Sequence, residues 1–151
     1  MQTMNVASDG SMYQDIPSDI YGLKYVEDVL SLEPNQIHRN YWQDLWPDDD
    51  MITANFHQII RIKNHSFFNE LLWTENAAPY VYSSHHQALN SYGKHIEVVA
   101  TSMDGKVPEI IVHGKFKNVF GVQFHPEKAG LYLENSEPMK WHPLTISKFQ
   151  Y

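Results

Sequence analysis

The stretch "HIEVVATSMDGKVPEIIVHG", residues 95–114, decides the architecture. Two β-rich runs flank Asp104-Gly105, a dipeptide that favours a tight hairpin because glycine reaches positive φ without a steric penalty. Pro108 has no N–H to give a ladder, so the second run should lie at a sheet edge or begin after the proline. Downstream, "NVFGVQF" (118–124) reads as a third strand that runs straight into His125-Pro126-Glu127.

Upstream, "MQTMNVAS" (1–8) has the character of a helix that begins at once, and "GSMYQDIP" (10–17) that of a turn, a short strand and a proline stop. Residues 18–50 are polar and irregular and suggest a partly helical excursion. "NFHQIIRIKN" (55–64) alternates as a strand does, and "HSFFNELLW" (65–73) has the spacing of a short amphipathic helix. Tyr80–Tyr82 is a short β-rich run that ends in the polar turn Ser83-Ser84-His85-His86-Gln87. In an α/β protein a loop just past the carboxyl end of a strand is the usual place for function.

At 151 residues, 42% of them hydrophobic, the chain can bury one ordinary core. Its net charge of −7 argues against nucleic acid, which needs a basic face to displace counterions. No apolar run approaches the roughly 18 residues of a membrane span, so a cytoplasmic protein without a membrane partner is expected. Cysteine is absent, which rules out disulfides, thiolate metal sites and a thiol nucleophile within these residues.

His125 and Glu127 can form a base and its orienting carboxylate, the pair that activates a serine or cysteine nucleophile; the tripeptide fits an ordinary surface turn as well. Adjacent His85 and His86 point to opposite sides of an extended chain, so at most one should face a given site. The nine histidines show no recognised metal-ligand spacing, and no metal or other cofactor is expected. Ser83 and Ser84 lack a Gly-x-Ser-x-Gly elbow and read as hydrogen-bonding serines. Asp48–Asp50 read as a solvated loop, and the aromatics at 41, 42 and 46 as core packing. His38 and Arg39 fit either a contact to a substrate carboxylate or a solvated loop.

Taken together, "MNVASDGSMYQDIP", "SSHHQALNSYGKHIEVVATSMDGKVPEIIV" and "NVFGVQFHPEKAG" resemble the carboxyl-terminal part of the γ-glutamyl-γ-aminobutyrate hydrolase family, peptidase C26, in the class I glutamine amidotransferase-like superfamily. The resemblance covers residues 1 to 17 and 55 to 130. It implies an α/β fold, the C-terminal part of a flavodoxin-like three-layer sandwich with a central mostly parallel sheet and an antiparallel hairpin. Residues 1–130 would form this partial domain and 131–151 a tail. The implied chemistry is a Cys-His-Glu triad that hydrolyses γ-glutamyl amides through an acyl-enzyme. His125 then takes the role of general base and acid, Glu127 orients it, and Ser84, His85, His86 and Gln87 border the γ-glutamyl substrate.

The chain departs from that pattern at the nucleophile. The family's cysteine lies in a Gly-x-Cys-Arg-Gly-x-Gln-type elbow, and "MQTMNVA" resembles the segment just past that elbow, so the cysteine would fall a few residues before Met1. The chain is thus expected to be inactive alone, and either to pair with a complementing N-terminal half or another copy, or to act as a pseudoenzyme or binding module that keeps the γ-glutamyl pocket.

Overall fold

The computed structural model describes residues 1–48, 55–69 and 77–126. Helix α1 (Gln2–Ala7) is short because Asp9 turns into positive φ (70°) and the N–H of Gly10 returns to the carbonyl of Asn5 at 2.9 Å. Met1 and Met4 from this end pack with Met12 on Leu89, Ile96, Val98 and Ile111. Strand β1 (Met12–Tyr13) comes next, then α2 (Ile16–Tyr21). The expected proline stop is also a helix start: Pro17 sits in the first turn of α2, and the Asp15 carboxylate caps it by accepting from the N–H of Ser18 at 3.1 Å. Gly22 closes α2 in the left-handed conformation, φ 71°.

The irregular excursion contains α3 (Val26–Val29), a 3-10 turn at Pro34–Gln36 and α4 (Trp42–Leu45). It is docked along β2 (Phe56–Arg61): Asn35 Oδ1 accepts from the N–H of Gln58 at 2.9 Å, and Asn55 Nδ2 donates to the carbonyl of Ile37 at 2.8 Å. Tyr41 is buried as expected, whereas Trp42 and Trp46 are exposed and stack on each other at 4.8 Å, so these two rings are not core. Asp49 and Asp50 lie outside the described residues.

Helix α5 (Ser66–Asn69), β3 (Tyr80–Tyr82), β4 (Ala88–Leu89), β5 (Ile96–Ser102), β6 (Pro108–His113) and β7 (Phe116–Val122) complete the described elements. The strands form a β1-β4 pair and a five-stranded sheet in the order β3-β2-β5-β6-β7. The fold is mixed α/β, but every described pairing is antiparallel, and the expected mostly parallel central sheet is not found among the described residues. Part of the reason is local: β5, β6 and β7 succeed one another through short turns, and a parallel pair needs a crossover of about a dozen residues or more.

Asp104-Gly105 makes the β5–β6 turn, with Gly105 at φ 76°. Pro108 opens β6, but β6 lies between β5 and β7 and is not at the edge; a first-residue proline costs the ladder little. Strand β5 is buried at every position except Glu97, because both faces of the sheet are covered. Ile59, Phe68, Val81, Val99, Ile110, Val112 and Phe124 form a cluster separate from the one under α1. Each such side chain, fully buried, contributes roughly 1.5–3 kcal/mol. The tail after residue 130 lies outside the described residues.

Candidate active site and a buried histidine cluster

Strand β7 delivers His125. Beyond Val122 the chain stays bound to the sheet, with the N–H of Gln123 on the carbonyl of Glu109 at 2.9 Å. The N–H of His125 then meets the carbonyl of Tyr82, the last residue of β3, at 3.0 Å, and its ring lies edge-on to the Tyr82 ring at 6.1 Å. Anchored this way, the half-buried imidazole lines a cleft of about 360 Å³ together with His85, Gln123 and residues Met1 to Thr3 at the head of α1. Glu127 lies outside the described residues.

The loop after β3 divides as the alternation rule predicts: His85 is buried and His86 exposed. Ser84 is exposed and Gln87 half-buried, with Gln87 Nε2 donating to Gln14 Oε1 at 3.0 Å. Of the four expected substrate-loop residues, His85 is the one among the cleft's lining side chains. Ser83 is buried and donates its hydroxyl to the carbonyl of His38 at 2.6 Å, a structural use of that serine.

Behind the cleft the fold gathers side chains that no short motif announces. His38 is fully buried, so neither the solvated-loop nor the substrate-contact reading describes it; Arg39 beside it pairs with Asp44 and covers the Tyr41 ring at 4.5 Å. Strand β5 ends opposite Ile59, which leaves His57 of β2 projecting past it toward Glu109 of β6. Oε1 of Glu109 lies 3.1 Å from His57 Nε2, 3.5 Å from His38 Nδ1 and 3.6 Å from His85 Nε2. Burial pushes the His38 imidazole down to about 4, against the opposing pull of Glu109. Burial alone would raise Glu109, but the facing imidazoles outweigh it and hold the carboxyl well below its ordinary range.

The sequence carried a signal for this cluster. A glutamate in the apolar run "VPEIIV" and a histidine on the same side of β2 as Ile59 are charged or polar groups at core positions, which are almost never fully buried without a partner.

The fold is mixed α/β and brings a histidine at a strand mouth to a cleft beside a helix start. The family model of Peptidase C26 matches residues 1–127, and the chain belongs to the peptidase C26 family, a family of hydrolases. No curated protein matches the chain.

Proposed function

We propose that this chain supplies the histidine half of a cysteine-dependent hydrolase of γ-glutamyl amides, of the γ-glutamyl-γ-aminobutyrate type, on a flavodoxin-like scaffold. The observation that carries the reading is the shared cleft: residues Met1 to Thr3, which resemble the segment just after the family's nucleophile, line the same recess as His125. A cysteine joined or docked ahead of Met1 would enter that recess from the α1 side.

In this reaction His125 accepts the thiol proton as sulfur attacks the γ-carbonyl, and returns it to the leaving amine as the C–N bond breaks. The thioester is then opened by water, with His125 again as base. Glu127 orients the ring and stabilises its protonated form. Ser84, His85, His86 and Gln87 border the γ-glutamyl group. Without a cysteine, the chain alone leaves its base with no nucleophile to activate and is inactive.

The absence of cysteine also favours a second reading, a module that binds γ-glutamyl ligands without turnover. Hydrolysis of a γ-glutamyl anilide separates the two. The chain should be silent alone and active when extended by, or mixed with, a polypeptide that carries a Gly-x-Cys-Arg-Gly elbow. That activity should fall by about 10²-fold or more in His125→Ala. Calorimetric binding of the anilide with silence in every combination would establish the binding module, and turnover by the chain alone would overturn both readings.

A further inference from the structure

Nothing in the proposed hydrolysis uses the carboxylate of Glu109 or the rings of His38 and His57, yet all three are essentially inaccessible to solvent. Burying a carboxylate without full hydrogen bonding is costly, and the cost falls only if something positive meets it. Among the described residues, neither oxygen of Glu109 has a hydrogen-bond partner, nor has either ring nitrogen of His38 or of His57, nor Nε2 of His85. So many orphaned polar atoms in one buried cluster is rare in a native core.

Direct hydrogen bonding fits the distance of one contact alone, His57 Nε2 to Glu109 Oε1 at 3.1 Å. An N–H···O bond spans roughly 2.7–3.2 Å. Two of the three approaches to Glu109 Oε1, at 3.5 and 3.6 Å, are too long for one. Four ligands at about 2.0–2.1 Å from a tetrahedral metal ion stand about 3.3 Å from each other, which is the scale of the contacts here. One ligand atom from each of His38, His57 and Glu109 falls within 4.8 Å of the others.

The state of His85 points the same way. Its Nδ1 lies 3.0 Å from the carbonyl of Gln87, and a carbonyl only accepts, so Nδ1 carries the proton. In the neutral ring Nε2 then presents a bare lone pair toward the Glu109 oxygen. Two lone pairs then face each other, and either a cation between them or a second proton on the ring relieves the repulsion. A ring N–H held by a backbone carbonyl is also the support that metal-binding histidines ordinarily have.

We propose that His38, His57 and Glu109 bind a zinc-like divalent transition metal, with His85 Nε2 as the fourth donor. Three imidazoles and one carboxylate suit zinc or its first-row neighbours, whereas calcium and magnesium take six or more oxygen ligands. Closed by four protein ligands, the ion is structural. It ties the His38 segment and the 83–87 loop to β2 and β6, and so fixes the wall of the cleft that His125 faces. This inference does not rest on the proposed hydrolysis.

Cobalt(II) titration of the chelator-treated full chain tests it. The expected result is the visible spectrum of a tetrahedral cobalt site, saturating at one equivalent and displaced by zinc. Glu109→Gln should weaken binding at least tenfold, and the doubly substituted His95→Ala, His113→Ala chain, altered at the tilted ring pair outside the cluster, should bind unchanged. A missing band, or one retained in Glu109→Gln and lost in the His95, His113 variant, overturns the proposal. Should Glu109→Gln fail to fold, the unaltered chain decides. Paramagnetic broadening of the His38, His57 and His85 ring protons with His95 and His113 sharp supports the site, and the reverse pattern refutes it.

Discussion

Asn5 shows how much one buried amide can organise. Its side chain is inaccessible to solvent, donates to the carbonyls of Ser11 at 3.1 Å and Ser91 at 3.0 Å, and accepts from the N–H of Gly93 at 2.9 Å. It therefore joins α1 to the turn before β1 and to the chain after β4. Gly93 is glycine for a matching reason, since a Cβ there would meet the carbonyl oxygen of Ser8 at 2.5 Å. Asn5→Leu keeps roughly the same volume but leaves the Gly93 N–H without its acceptor, while the Ser11 and Ser91 carbonyls keep the N–H groups of Asn90 and Ser11, at a cost of roughly 1–3 kcal/mol. Urea unfolding monitored by circular dichroism should show that loss. Asn5→Asp should also destabilise, because its carboxylate would face two carbonyl oxygens. An unchanged midpoint in both variants would remove Asn5 from this role.

At the scale of elements, the β5–β6 hairpin was legible because its signal is local: two β-rich runs and a turn dipeptide lie in a single stretch. The use of Asp104 as a fastening point was not legible, because its partners come from elsewhere. Its carboxylate accepts from Ser102 Oγ at 2.6 Å and the N–H of Lys106 at 3.2 Å, and from Tyr21 of α2 at 2.7 Å and Gln36 of the 3-10 turn at 3.4 Å. Partial burial would raise its pKa, and these donors outweigh burial and lower it. A carboxyl with a lowered folded pKa adds stability that is present above its unfolded value, about 3.9, and is lost as the pH falls through the folded value. The thermal midpoint of Asp104→Asn should therefore lie below that of the unaltered chain at neutral pH, and the gap should close as the medium is acidified below about pH 4. A gap that stayed constant with pH would mean that the charge contributes nothing. The antiparallel pairing of β2 with β5 was illegible for a related reason: the two strands meet across a long sequence separation, and periodicity carries no strand direction.

For the whole molecule, the position of His125 just past a strand and the buried-exposed division of His85 and His86 could be read in sequence because each depends on a strand and the turn after it. Glu109 and His57 stand out singly as polar groups at core positions, but their meeting with His38 and His85 could not be read, because an excursion, two strands and a loop each bring one member. That dispersal makes the cluster a global device. An ion bound only by the folded arrangement stabilises it by RT ln(1 + [M]/Kd), about 2.7 kcal/mol at a hundredfold excess over Kd. Because the ligands span the chain from residue 38 to residue 109, opening any one segment releases the ion. The amides of β2, β5 and β6 should consequently gain hydrogen-exchange protection together on zinc addition and lose it together with a chelator, and the melting temperature should climb with the logarithm of free zinc above Kd. Protection confined to the 83–87 loop would make the ion a local clasp, and a melting temperature indifferent to zinc and chelator would leave the buried carboxylate to be stabilised by protonated imidazoles alone.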